Sequence, residues 1–207
     1  MAASRDALTF PYDNGPWTVR GARTVFDNPW IRVVDHDAGG PDGAPRNYGV
    51  VRFKNRAIGV LPIDADGRVP LVGQHRFPLE RYSWELPEGG GPLDEAPLAA
   101  AQRELAEETG ARADKWLELA AFDLSNAVTD EVSICYLAWD LTWGPADPDP
   151  DERLQVELAP FAELHERVLA GDVRDALTIV MALTAREKAA RGALPADVAA
   201  LLLGGSK

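Results

Sequence analysis

Glu104, Glu107 and Glu108 stand at i, i+3 and i+4 in the stretch GGGPLDEAPLAAAQRELAEETGA, residues 89–111. On a helix this spacing stacks three like charges on neighbouring rows, which is destabilising. The three also crowd the helix C-terminus, where the macrodipole is already negative. A solvated acidic face explains neither this conflict nor the glycine run that precedes the helix. A hard divalent cation removes both difficulties, because carboxylate oxygens are its preferred ligands and its charge outweighs the local repulsion. Magnesium keeps several waters and shares phosphate oxygens with its substrate, and manganese accepts the same ligands. Several carboxylates can hold more than one ion, which suits polarising a phosphoryl group while activating a water.

The elements that must carry this cluster are legible around it. Pro97 suits the first helical turn and Gly110 the position just past the helix, where φ turns positive. Leu98, Ala101 and Leu105 form the expected core stripe, and Arg103 can reach Glu107 at i+4. Ahead of the helix, AIGVLPID and VPLVGQHRF read as strands flanking a turn at Ala65-Asp66-Gly67-Arg68. Behind it, LELAAFDL, VSICYLAWDL and LQVELAP read as strands, with PADPDPDE (145–152) an acidic, proline-rich loop. Helices follow at roughly 160–170 and 173–190, divided by Gly171. Residues 17–53 carry short β runs broken at Asp27-Asn28-Pro29 and at Gly39–Gly43, a small antiparallel appendage after a loose lead-in. Strands and helices mixed without regular βαβ alternation imply a mixed sheet with helices on both faces.

Bulk properties narrow the partners. The chain has 207 residues and a formal net charge of −12, which argues against a surface built to neutralise nucleic-acid phosphates. Cys135 is the single cysteine, so an internal disulfide and a cysteine-rich zinc site are excluded. Its apolar setting, VSICYLAW, is that of an inert buried thiol. No apolar run approaches the ~18 residues of a membrane span, and MAASRDALTFPYDN lacks a signal-peptide core. A cytoplasmic protein is the expectation.

Gly89, Glu95, Arg103-Glu104-Leu105, Glu107-Glu108 and Gly110-Ala111 fit G-x5-E-x7-R-E-U-x-E-E-x-G-U, with U apolar. This resembles the Nudix box at every required position. The resemblance implies an α/β/α sandwich with a mixed sheet, here with an N-terminal antiparallel β appendage. It implies hydrolysis of a nucleoside diphosphate linked to another moiety. It also implies that Glu104, Glu107 and Glu108 bind Mg²⁺ or Mn²⁺, with Glu104 and Glu108 central to catalysis. The Glu88 carbonyl is a further ligand candidate. Gly89, Glu95, Arg103 and Gly110 would hold the loop and helix in shape. The expected division is a leader and dimerisation segment at 1–53, the Nudix domain at 54–190 and a helical tail at 191–207.

Beyond the box, SWELPEGGG, GQHRF and TVFDNPWIRV are similar to the ADP-ribose pyrophosphatase-like branch, in which the leader builds a homodimer and part of the substrate pocket. By that similarity Arg76 would contact the diphosphate, where an arginine fork suits phosphate oxygens. Arg81 is a second candidate of this kind. Trp30 either stacks on a nucleobase or belongs to a core or dimer interface. Trp84 is expected to pack beneath the glycine loop. The branch also uses a loop carboxylate as general base; Glu152 matches that place, with Glu131 in LSNAVTDE the alternative. Ser125, Asn126 and Asp130 of that segment are candidate pocket residues. Asn126 also stands where the ADP-ribose subgroup carries proline, so other nucleotide sugars stay open, as does a pool-cleansing dNTP pyrophosphohydrolase. A ligand-sensing regulator of the same fold would show an eroded box and a basic recognition helix, and neither is present.

Overall fold

A computed structural model describes residues 9–147 and 153–204. The chain divides into two compact units, one of Met1–Asn55 with Asp123–Glu131 and the other of Arg56–Phe122 with Val132–Lys207.

The first unit is an antiparallel sheet of β1 (Tyr12–Asn14), β2 (Trp17–Asp27), β3 (Ile31–Gly39) and β4 (Pro45–Phe53), in that order. Each break seen in the sequence becomes a turn with its own hydrogen bonds. Asn28 Oδ1 accepts the N–H groups of Trp30 (2.9 Å) and Ile31 (2.8 Å), an Asx turn that reverses the chain between β2 and β3. Gly43, at φ 77°, closes the β3–β4 connection in a conformation that other residues resist. Residues 123–131 return to this unit: the Tyr48 hydroxyl donates to the Ala127 carbonyl (2.8 Å), and Arg52 pairs with Asp130 (3.0 Å).

The second unit holds β5 (Asn55–Ile63), β6 (Arg68–Arg76), β7 (Arg81–Glu85), β8 (Glu88–Pro92), α1 (Pro97–Thr109), β9 (Ala111–Asp123), β10 (Val132–Trp143) and β11 (Gln155–Pro160). The helices α2 (Phe161–Ala170), α3 (Ala176–Ala190) and α4 (Ala196–Leu202) complete it. One sheet runs β8-β5-β10-β9, with β5 and β10 parallel; the other, β11-β6-β7, is antiparallel. Alternation along the parallel pair decides the layering. Ile58, Val60, Tyr136 and Ala138 form one buried cluster with Ala100, Ala101 and Leu105 of α1. Gly59 and Cys135, in register on the opposite face, lie under Leu177 and Met181 of α3. Helices therefore cover both faces of a mixed sheet, the α/β/α arrangement of the Nudix fold. Among the described residues no helix is long and apolar enough to cross a membrane.

Three details depart from the sequence reading. Leu98 is exposed rather than part of the core stripe, which runs through Ala100, Ala101, Leu105 and Glu108. The glycine run is a strand, β8, because its small residues let β5 and α1 close in: a methyl on Gly91 would meet Ile58 at 2.7 Å and Ala100 at 3.2 Å. Trp84 is half-buried over Gly73, its cross-strand partner, and packs edge-on against Tyr82 with ring centroids 5.6 Å apart.

Cys135 is fully buried, and burial with the nearby Glu88 and Asp175 charges pushes its thiol pKa up to about 12. In the native chain it should resist a thiol reagent at pH 8 for hours and label fully in denaturant. Labelling within minutes in the native state would contradict this packing.

Candidate active site

Helix α1 begins at Pro97 and is closed by Gly110, whose N–H donates to the Ala106 carbonyl at 3.0 Å and whose φ of 72° turns the chain out of the helix. The segment after β10 is strapped to this end: the Gly144 N–H donates to the Gly110 carbonyl (2.8 Å) and the Asp147 N–H to that of Glu107 (3.0 Å). A methyl on Gly110 would collide with the Gly144 carbonyl and sit 2.9 Å from the Ala146 nitrogen. Gly110→Ala should therefore cost ~2 kcal/mol or more, of which the left-handed backbone accounts for ~1–2 kcal/mol and the collision for the rest. For a chain of this size that lowers Tm by roughly 4–8 °C, readable by calorimetry.

The acidic residues of α1 differ in environment. Glu108 lies on the core side, 4% exposed, and accepts the Glu88 N–H at 3.1 Å. Glu104 is nearly covered and Glu107 is half-exposed. Arg103 relieves their repulsion by donating to Glu104 Oε1 (2.7 Å) and Glu107 Oε2 (3.0 Å). Its other nitrogen reaches the Gly90 carbonyl (3.0 Å) and Glu95 (3.2 Å), so one guanidinium ties helix, strand and loop together. Burial would lower its pKa, but the surrounding carboxylates raise it instead, so its charge is permanent. Arg56 fastens the same loop through the Pro92 and Leu93 carbonyls, both at 3.1 Å; nothing in the box pattern points to it.

Gly89 faces this cluster so closely that a methyl there would overlap the Glu104 carboxylate. Bare backbone against a carboxylate face leaves space that a side chain would fill. Together with an all-oxygen donor set from Glu104, Glu107, Glu108 and the Glu88 carbonyl, that cradle fits a hard divalent cation.

Beside it lies a second acidic group. Carboxylate oxygens of Glu85, Glu88 and Asp175 come within 4.8 Å of one another. Arg76, the last residue of β6, donates from Nε to both oxygens of Glu85 (3.1 and 2.9 Å) and from Nη2 to Glu88 Oε1 (2.9 Å). Burial, reinforced by Asp175 and Glu85, drives the Glu88 pKa well above the usual carboxylate range, with Arg76 pulling the other way. Glu85 and Asp175 were not singled out by the box pattern; Asp175 was findable as the N-cap of α3, where it accepts the Thr178 N–H at 2.7 Å.

The remaining candidates fall as follows. Arg81 opens β7, half-buried, directly across from Arg76. Trp30, 66% exposed, sits in the β2–β3 turn of the first unit. Asn126 is exposed in the 123–131 segment, and Asp130 there is engaged by Arg52 and the Phe53 N–H. Glu131 is half-buried, its pKa raised by burial and by Asp130. Glu152 lies outside the described residues.

A family profile for the NUDIX domain matches residues 53–179. The ADP-ribose pyrophosphatase of Bacillus subtilis is 31% identical over 156 residues, covering 74% of this chain and 84% of its own length. That of Mycobacterium tuberculosis is 34% identical over 128 residues, covering 59% of this chain and 61% of its own. A crystal structure of an ADP compounds hydrolase superposes with a TM-score of 0.77 at 22% identity, over 88% of this chain and all of that one, a likeness of fold. With the profile spanning most of the chain and the box running from β8 through the following loop and α1 to the start of β9, the chain belongs to the Nudix family of hydrolases.

Proposed function

We propose that this protein is a divalent-metal-dependent pyrophosphohydrolase whose substrate is ADP-ribose, cleaved to AMP and ribose 5-phosphate. The observation that carries the reading is the intact carboxylate helix packed against Gly89, with Glu108 held by the Glu88 amide. Relatives named as ADP-ribose pyrophosphatases support the choice of substrate. Mg²⁺ is the proposed ion, with Mn²⁺ its substitute, held by Glu104, Glu107, Glu108 and the Glu88 carbonyl. When bound, such an ion neutralises diphosphate charge and makes a water acidic enough to attack.

The chain's own groups do the rest. Glu104 and Glu108 would hold the ion to which the reacting end of the diphosphate binds, and Arg103 keeps the Glu104 carboxylate beside that of Glu107. A water oxygen bonds to one phosphorus, the bridging P–O bond breaks, and the electron pair leaves on the other phosphate. The proton lost by water passes to a loop carboxylate, for which Glu152 is proposed first and Glu131 second. Arg76 and Arg81 are proposed to meet the diphosphate, with phosphate oxygens competing for Arg76 against Glu85 and Glu88. Trp30 and Asn126 are the proposed contacts to the nucleoside side. A homodimer built on the leader, and a cytoplasmic setting, complete the reading; light scattering should give twice the 22.4 kDa chain mass.

The test is a panel of nucleotide sugars and dinucleotides incubated with Mg²⁺, scored by phosphate that a phosphatase releases afterwards and by chromatography of the products. AMP and ribose 5-phosphate from ADP-ribose, at the highest kcat/KM of the panel, is the expected result. Asn126, in the place of the subgroup's proline, favours a second reading in which another nucleotide sugar leads. Absence of any nucleoside monophosphate across the panel would reject both.

A further inference from the structure

Leu86 and Pro87 form the link between β7 and β8, outside either strand. Pro87 has no N–H, and the Leu86 N–H is not in a ladder, yet Leu86 is fully buried. Water cannot satisfy that donor, and an orphan there would be costly. Its partner comes from far along the chain: Thr178 Oγ1, itself fully buried, accepts it at 2.8 Å. Thr178 occupies the third position of α3, and its own N–H is held by the Asp175 cap. The Pro87 carbonyl is taken by the Val60 N–H at 2.8 Å, so the link is pinned from both sides. At the next residue, the first of β8, the Glu88 N–H donates to Glu108 Oε2. The residue that the link leads into thus supplies both the amide that orients the most buried box carboxylate and the carbonyl proposed to join it.

We propose that Thr178 is a positioning residue for Glu108: by holding the Leu86 amide it fixes the link whose Glu88 backbone aims that carboxylate at the cation. The inference rests on the metal reading of α1 given above, and it assigns a site role to a helix that contributes no box residue. A link released from α3 can shift by tenths of an ångström without unfolding the sheet. Groups that orient metal ligands from behind typically change affinity by ~10- to 100-fold when removed.

The experiment is equilibrium binding of Mn²⁺ to the full chain, read as free Mn²⁺ by electron paramagnetic resonance, below every variant's melting point. Thr178→Val keeps the branched shape and deletes the acceptor; Thr178→Ser keeps the hydroxyl and deletes the methyl. Ala185→Gly, two turns along α3 and fully buried, destabilises the same helix without touching the link. T178V should weaken Mn²⁺ binding by ~10- to 100-fold and raise the metal needed for half-maximal turnover in parallel, leaving KM at saturating metal unchanged. T178S should bind as wild type, and A185G should lose Tm but not affinity. Should T178V not fold, Thr178→Cys, a much weaker acceptor, takes its place with the same expected direction. Wild-type affinity in T178V, or an equal loss in T178S or A185G, would overturn the proposal and leave the metal site standing. A wild-type chain without saturable Mn²⁺ binding would overturn the metal reading, and this role with it.

Discussion

Glu108→Gln should lower kcat by ~10²- to 10³-fold, the range seen when one preorganised electrostatic group is taken from a reacting centre. The fold should survive the change. Glutamine is nearly the same size, and its amide oxygen can still accept the Glu88 N–H that Glu108 now holds at 3.1 Å. Removing one negative charge from the C-terminal end of α1 also eases both its repulsion with neighbouring acids and its conflict with the helix dipole. Without metal, E108Q should therefore melt at the wild-type temperature or slightly above it. The diagnostic is the response to metal: a ligand that binds only the native state adds ~2.7 kcal/mol at a hundredfold excess over Kd. Wild-type chain should gain that increment on adding Mg²⁺ or Mn²⁺ and return it to a chelator, whereas E108Q should gain little. Wild-type turnover in E108Q would remove Glu108 from the site.

Gly89→Ala should separate stability from activity even more cleanly. The added methyl overlaps the Glu104 carboxylate, which is the far end of a flexible side chain and can swing aside. In an extended strand alanine restricts the unfolded chain more than glycine does, so the fold should hold or gain a few tenths of a kcal/mol. Turnover at sub-saturating metal should nonetheless drop by ~10- to 100-fold, because Glu104 leaves the position in which Arg103 holds it. High metal should restore part of the rate. This pattern is the reverse of Gly110→Ala, where the obstacle is backbone and the loss appears in Tm. Equal melting losses in the two glycine variants would mean that Gly89 is kept for folding alone.

The box was legible because its chemistry is local. The spacing of Glu104, Glu107 and Glu108, Pro97 at one helix end and Gly110 at the other all lie within one stretch of chain. The structure places each where that spacing requires. The antiparallel leader was equally open to reading, since Asn28-Pro29 and Gly40–Gly43 stand between its short β runs, where the chain turns. What stayed hidden depends on partners remote in sequence. Three glycines in a row read as a loop; they lie in a strand where Ile58 and Ala100 from other elements press against Gly91. Leu98 reads as core by its period, yet the helix is rotated so that Glu108 faces inward instead. Arg76 was visible as a cation at a strand end. Its carboxylate partners Glu85, Glu88 and Asp175 come together only through the β6–β7 pairing and the start of α3. Thr178, 92 residues from the amide it accepts, carries no local signal of that task.

The most direct measurement is anomalous diffraction from crystals soaked in Mn²⁺ with a non-hydrolysable ADP-ribose analogue. Density is expected on the α1 face, with Glu104 and Glu108 oxygens ~2.0–2.2 Å from the ion, the usual span for small hard cations, and diphosphate oxygens completing its shell. A bare α1 face, or manganese lodged only among Glu85, Glu88 and Asp175, would contradict the assignment of the box carboxylates as the metal centre.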